Sequence, residues 1–201
     1  LMDNRRVFGA QRVLEQQVAG LMAVLADCRS RPDLPPLRTP FFQGAPQTMR
    51  FVSSYSIQEA MRGYPRILEY QVLPVENLDG VRLVVNERLY WGPLSTGALC
   101  LGVNPQGPGI LFRPVETGSQ SFVLADRLAF CRFSYLEPLP PPALGRWVPV
   151  WTRPELPGAI RIEMERKQAD PARLPLLAVT LPVRVHKDPR LLYADEYDLG
   201  R

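Results

Sequence analysis

Residues 145–166, GRWVPVWTRPELPGAIRIEMER, contain a proline-rich bend followed by strict alternation of apolar and charged residues. In the alternating part, Ile160, Ile162 and Met164 fall on one side of an extended chain, because successive side chains of a strand face opposite ways. Arginine and glutamate occupy the positions between them. One apolar and one charged face is typical of a half-buried antiparallel strand. The stretch therefore predicts a sheet with one face against a core.

The two tryptophans of the same stretch, Trp147 and Trp151, flank prolines. Large rings at such positions typically close the end of a β core. We therefore interpret them as framework and not as a binding or catalytic groove. The predicted head core consists of Phe133, Trp147, Trp151, Ile160 and Ile162.

Further strand-like runs lie along most of the chain. Turn signals such as ENLDG at 76–80 and several proline clusters separate them, and 22 prolines in 201 residues favour short, sharply ended segments. The runs cover 47–56, 66–75, 80–92, 121–137 and 176–186.

Residues 5–30 are the one segment with convincing helical periodicity. Apolar side chains recur every three or four residues and form a stripe that broadens toward the C-terminal end. Pro32 ends the helix, and a proline-rich linker over 31–46 follows. The stripe residues expected to hold the helix to the rest of the domain are Val18, Leu21, Met22 and Leu25.

These patterns predict a single α+β domain over residues 1–201. A long N-terminal α-helix, the stem at 5–30, is expected to pack on a mostly antiparallel β head at 47–190. The head is expected to form two small sheets, and the polar stretch 191–201 is expected to be a tail.

Composition and charge argue against several classes of function. Hydrophobic residues are 46% and charged residues 22%, as in an ordinary globular chain. The net charge is +4, but the arginines are scattered among acids without a block of like charges, so a nucleic-acid-binding tract is not indicated. No run approaches the roughly 18 consecutive apolar residues that a membrane-spanning helix needs.

The sequence offers no reactive constellation. The single histidine, His186, ends a strand beside Lys187 and Asp188, where a solvated terminus is favoured over a catalytic base. There is no phosphate-binding glycine loop, and the three cysteines match no zinc spacing. Cys100 and Cys131 lie in strand-like runs and are able to pair in an oxidising compartment, with three buried thiols as an equal alternative. We therefore predict a non-enzyme without catalytic, metal-binding or cofactor-binding residues.

Several motifs resemble the J-class minor pseudopilin of bacterial type II secretion systems, a member of the type IV pilin-like superfamily. They are RLAFCRFSYLE at 127–137, the tryptophan pair, and LPGAIRIEME at 156–165. Upstream, PQTMRFVSS, YPRILEYQVLP and VRLVVNERL resemble the corresponding stretch of the family. The similarity spans most of the chain, whereas the family's leader, cleavage site and membrane-anchoring apolar segment are absent from it.

The resemblance implies a non-enzymatic structural subunit of a periplasmic pseudopilus. Such a subunit assembles with the I- and K-class minor pseudopilins at the filament tip and supports protein secretion. The implied location is the bacterial periplasm, with inner-membrane anchoring only through an N-terminal segment absent from this chain, and no nucleic-acid partner is expected. The alternatives are a minor pilin of a type IV pilus, active in adhesion or DNA uptake, and a small-ligand-binding or enzymatic β domain.

The narrow N-terminal part of the helix is the expected partner-binding region. Its apolar residues Val7, Phe8 and Leu14 would be free for the helices of neighbouring subunits. The alternative is that these residues fold back on their own head.

Overall fold

The computed structural model describes residues 2–29, 33, 35–75, 80–141, 143–167, 176–185 and 188–190, with the backbone alone for residues 2–8. The described helices are α1 (Met2–Ala19) and α2 (Pro93–Gly97). The described strands are β1 (Leu21–Met22), β2 (Leu25–Cys28), β3 (Leu37–Pro40), β4 (Gln43–Gly44), β5 (Thr48–Ser56), β6 (Met61–Pro74), β7 (Val81–Leu89), β8 (Cys100–Val103), β9 (Ile110–Phe112), β10 (Phe122–Glu137), β11 (Arg146–Val148), β12 (Ala159–Arg166) and β13 (Leu176–Pro182).

One antiparallel sheet of nine strands organises the described residues. Its main path runs β1-β5-β6-β7-β10-β12-β13, with β4 on β5 and β11 on β10. Strands β5, β6 and β7 are consecutive neighbours and form a meander, in which Arg50 lies opposite Glu69 and Glu69 lies opposite Asn86. The long strand β10 joins this meander to β12, because its first half pairs with β7 and its second half with β12.

The predicted fold class is wrong. The structure is mostly β, with one large antiparallel sheet instead of two small ones, and it has no long helix over 5–30. Helix α1 ends at Ala19, and the segment expected to be its C-terminal third forms β1 and β2. The predicted linker over 31–46 contains β3 and β4.

The end of α1 has a steric and a hydrogen-bonding cause. A side chain at Gly20 would meet the Ser53 hydroxyl at 2.8 Å, so the chain passes β5 closely at this point. The Gly20 carbonyl accepts a hydrogen bond from the Ser54 amide at 2.9 Å, and Leu21 then pairs with Ser53. Pairing with an existing strand therefore outweighs the helical spacing of the apolar residues beyond Gly20.

The sheet has two covered faces, which we call the helix face and the cap face. On the helix face, α1 lies over a core that includes Leu14, Val18, Phe51 and Phe133. Further residues of this core are Leu68, Tyr70, Leu83, Val85, Ile160, Ile162 and Met164. This core therefore extends from the meander across to β12.

A small unit covers part of the cap face, and we call it the disulfide cap. It consists of the β2–β3 hairpin, α2 and the β8–β9 hairpin. Its own apolar residues, with Val24 and Phe41 among them, pack on Val52 and Ile67 of the central sheet. A side chain at Gly97 would overlap the Asp27 backbone, so α2 lies directly against β2.

A disulfide between Cys28 and Cys100 joins the two hairpins of the cap. The expected pairing of Cys100 with Cys131 is therefore wrong. Cys131 is a free, buried residue on the helix face, separated from Cys100 by the sheet itself. Alternation along β10 decides this, because Cys131 shares the face of Phe133.

Candidate interaction surfaces

The C-terminal end of α1 is fixed to the helix face by buried polar side chains. The Tyr70 hydroxyl donates a hydrogen bond to Oε1 of Gln17, and both residues are fully buried. The Gln17 amide nitrogen donates to Glu87 at 3.3 Å, and the Ser53 hydroxyl donates to the Gln17 carbonyl at 2.8 Å. We call this group of four the helix seat. It gives α1 a defined position on the sheet, because a shift along the face would leave buried polar groups unpaired.

Two further features keep the hydrogen bonds of the helix seat in one arrangement. Burial raises the pKa of Tyr70 well above its ordinary value, and the Glu87 carboxylate raises it further, so the phenol remains a donor. Glu87 also accepts hydrogen bonds from the Ile57 amide at 2.6 Å and the Ser56 hydroxyl at 2.8 Å. The seat is therefore tied to the turn between β5 and β6 as well as to the sheet.

The opposite side of α1 faces outward. Its exposed residues are Gly9, Arg12, Glu15, Gln16 and Ala19. This side is polar or small, and the Gln11 amide donates to Glu15 at 2.8 Å one turn away. The outward side is therefore a solvated helix surface along the residues whose side chains are described.

The residues predicted to bind partners do not share one environment. Leu14 is fully buried in the helix-face core, so it is not free for a partner, contrary to expectation. Val7 and Phe8 belong to the backbone of α1, but their side chains lie outside the described residues. His186 also lies outside them.

The residues predicted to join helix and head occupy three different elements. Val18 is buried on α1, and Leu21 is buried on β1. Met22 and Leu25 are half-buried on β1 and β2, so they contact the head as parts of strands and not as parts of a helix. The expected helical setting of these last three residues is therefore corrected.

The tryptophan pair is part of the framework of the sheet. Trp151 is buried, and its indole nitrogen donates to the Glu155 carbonyl at 2.7 Å. Trp147 is only half-buried and lies outside the core, under the Arg161 guanidinium at 3.9 Å from ring centre to Cζ, so its prediction as a head-core residue is wrong. Phe133, Ile160 and Ile162 are buried in the helix-face core. Neither indole lines a cavity that gathers reactive groups.

The most prominent exposed apolar surface lies at the open end of β6 and β7. Tyr64 is 76% exposed, Trp91 is 68% exposed and Leu89 is 54% exposed. Leu89 pairs with Arg66, and the Tyr90 amide donates to the Pro65 carbonyl at 2.9 Å. The same register, continued by two residues, places Tyr64 opposite Trp91. We call Tyr64, Leu89 and Trp91 the aromatic surface.

The aromatic surface continues the helix face beyond the reach of α1. Leu89 lies two residues after Glu87, which faces α1, so alternation along β7 puts Leu89 on the same face. Leu68 and Tyr70 on β6 belong to the helix-face core, and Tyr64 lies two residues beyond Arg66, the partner of Leu89. Past the helix seat, this face of the sheet is therefore uncovered by the described residues.

Sequence reasoning missed this surface, although a signal was present. Tyr64 precedes one predicted strand, and Trp91 ends another. Pairing these strands through their hairpin at 76–80 would have brought the two rings to the same end.

The charged groups near the sheet are engaged in structural pairs. Fully buried Arg50 donates through Nε to Glu69 at 2.8 Å, and Arg88 donates to the other oxygen of Glu69 at 2.7 Å. Burial lowers the pKa of Arg50, and the Glu69 carboxylate opposes that shift. This trio bridges three strands and provides no free base.

The paired surface carboxylates are likewise poor candidates for a general base. Hydrogen bonds from arginines hold the pKa values of several carboxyl groups below their ordinary range. The pairs are Asp27 with Arg38, Glu137 with Arg146 and Glu163 with Arg132. A general base needs a pKa near the working pH, and these shifts run the opposite way.

Two hollows in the described surface lack convergent chemistry. The larger, about 510 Å³, is an open depression between residues 45–48 and 130–132, where burial raises the pKa of the Cys131 thiol to about 12. The smaller, about 260 Å³, is lined by prolines, and its Asp188 and Arg190 pair with each other at 2.7 Å. Among the described residues, no group of three or more potential ligands could hold a metal ion.

Within the described part of the chain, neither helix combines the length and the apolar character needed to cross a membrane. Comparison with protein-family models and with curated proteins finds no match to this sequence. The function is therefore inferred from the residues themselves.

Proposed function

We propose that the chain is a non-enzymatic assembly subunit of a periplasmic pseudopilus that supports type II protein secretion. The observation that carries this proposal is the helix seat. A fully buried glutamine held by a fully buried tyrosine fixes the position of α1 on the sheet. Buried polar contacts of this kind add little net stability, but they select one register among similar packings.

A fixed helix suits a subunit that must present it to neighbours. Apolar contacts such as those of Leu14 and Val18 are enough to hold α1 on the sheet, and they tolerate small shifts. The added polar contacts remove that freedom, so α1 keeps one direction relative to the sheet. A helix that joins a bundle of partner helices needs such a direction, because ridge-and-groove packing depends on the crossing angle.

Two further observations support the proposal. The disulfide between Cys28 and Cys100 agrees with an oxidising compartment such as the bacterial periplasm. The charged groups of the Arg50–Glu69–Arg88 trio and of the surface pairs described above are engaged in structural contacts, which favours an assembly role over catalysis. The motifs that resemble the J-class minor pseudopilin give the specific form of the assembly, with the I- and K-class subunits as partners.

Mixing this protein with purified I- and K-class minor pseudopilin domains tests the proposal. We expect a complex in size-exclusion chromatography and a saturable heat signal in calorimetry. Phe8→Glu should weaken the complex at least tenfold if the start of α1 meets partner helices, whereas Arg12→Ala on the outward side of the next turns serves as a matched control.

The opposite results are equally defined. No complex with either partner class at concentrations of about 100 μM would reject the pseudopilus role, since this corresponds to binding weaker than about 5–6 kcal/mol. Retention on DNA with a steep salt dependence would favour the type IV minor pilin instead.

A further inference from the structure

The aromatic surface combines two highly exposed aromatic rings at one end of the central sheet. Tyr64 and Trp91 belong to neighbouring strands at one sheet end, and Leu89 extends the same face toward the helix seat. The two rings together expose on the order of 300 Å². That area reaches the size at which an apolar patch on a monomer is often functional.

The surroundings of the aromatic surface carry positive charge. Arg62 and Arg66 lie two residues before and two residues after Tyr64 in β6. Arg66 pairs with Glu59 at 2.5 Å, so these two charges compensate each other. Arg62 is exposed and makes no ion pair with any residue that the structure describes. A partner that covers the rings therefore meets one uncompensated cation at the rim.

The composition of this region favours a protein partner over a nucleic acid. Tryptophan, tyrosine and arginine are the residues that dominate binding energy at protein interfaces. Binding to a nucleic acid needs several unpaired cations that follow the phosphates, and this surface supplies Arg62 alone among its described neighbours. One cation beside an apolar centre instead complements an apolar protein surface with a carboxylate at its edge.

We infer that the aromatic surface binds a neighbouring minor pseudopilin, whose contact region has an apolar centre and an acidic residue placed for Arg62. This inference rests on the proposed function and adds a second contact, made by the head, to the one made by α1. A stable interface buries about 800 Å² on each partner, so the rings form the centre of the contact and neighbouring residues its rim. The occupant continues the layer that α1 forms over the same face of the sheet.

Binding of the I- and K-class domains to three variants tests this inference. Trp91→Ala and Tyr64→Ala should each weaken one complex by about thirtyfold or more, as expected for central aromatic residues. Arg62→Glu should lower the association rate of the same complex about tenfold and flatten its salt dependence. Leu176→Ala on β13, 45% exposed at the far edge of the sheet, is the matched control and should bind normally.

Each outcome decides between the two proposals. Unchanged affinity of the Trp91, Tyr64 and Arg62 variants, with an intact wild-type complex, would overturn the surface assignment and leave the pseudopilus role standing. Absence of any wild-type complex would overturn both. If a single-stranded DNA oligonucleotide binds the wild-type protein and binds Trp91→Ala more weakly, the aromatic surface binds a nucleic acid and the protein partner is rejected. Equal urea midpoints of all variants confirm that folding is preserved.

Discussion

The two faces of the central sheet are covered by different physical means. On the helix face, α1 is held by apolar contacts and by a buried hydrogen-bond group around Gln17. On the cap face, two hairpins and α2 are joined by a covalent bond between Cys28 and Cys100. A disulfide stabilises the fold mainly by constraining the unfolded chain, whereas paired buried polar groups select one register with little net stability. The comparison separates a face on which hydrogen bonds fix the position of α1 from a face on which a covalent bond joins the covering elements.

Removal of the disulfide tests the covalent side of this comparison, and it should have the largest effect on the free energy of unfolding. The bond closes a loop of 72 residues, so Cys28→Ser combined with Cys100→Ser should lower the free energy of unfolding by about 4 kcal/mol. Urea unfolding measures the loss. The proposed contact through α1 should survive wherever the variant is folded, because the cap lies on the face opposite the helix seat.

Thiol counting provides the control for that experiment. Native protein should not react with an alkylating reagent at pH 8, since Cys131 is buried and its pKa is raised to about 12. Denaturation without reduction should expose one thiol, and peptide mapping should assign it to Cys131. Assignment to Cys28 would restore the rejected pairing of Cys100 with Cys131.

Leu14→Ala tests the apolar contacts between α1 and the sheet, and it should lower the free energy of unfolding slightly less than removal of the disulfide. Leu14 is fully buried, so the truncation should cost about 3 kcal/mol of unfolding free energy. Thermal and urea unfolding give the value, with exposed Gln16→Ala on the same helix as the control. A loss below about 0.5 kcal/mol would mean that Leu14 is not in the core and would revive its role as a partner contact.

Tyr70→Phe tests the polar part of the contact between α1 and the sheet, and it should have the smallest effect on the free energy of unfolding. It leaves Oε1 of Gln17 buried without a donor, which should cost about 1–2 kcal/mol. Adding Gln17→Leu removes both polar partners and should restore most of the stability, as a double-mutant cycle in urea would show. If the polar group sets the position of α1, the double variant should still bind pseudopilin partners more weakly than wild type. Full affinity in the double variant would reduce the helix seat to ordinary packing.

The strands could be predicted from the sequence because alternation is a local property. Ile160 and Ile162 are buried on the helix face, and the predicted run 80–92 contains β7. The end of α1 could not be predicted in the same way. Leu21 and Leu25 fit a helical stripe, and only pairing of Leu21 with β5 and of Leu25 with β3 makes strands more favourable there.

The disulfide and the aromatic surface depend on contacts between residues distant in sequence. Cys28 and Cys100 meet because α2 and β2 pack through Gly97, and nothing near either cysteine indicates the partner. Trp91 and Tyr64 come together through the register of β6 and β7, which the hairpin signal alone did not specify to the residue. Composition and local pattern therefore predict which segments are strands, but they do not predict which residues lie next to each other across the sheet.

The wide sequence separation of the bonded cysteines also orders the maturation of the chain. The meander β5–β7 lies between them in sequence, and its strands pair with their immediate neighbours, so it can form while loop-closure entropy is still small. The hairpins of the cap reach each other only across the completed meander, against Val52 and Ile67. We therefore expect the sulfur–sulfur bond to form after the sheet, so that a chain that is still reduced marks a sheet that is not yet assembled.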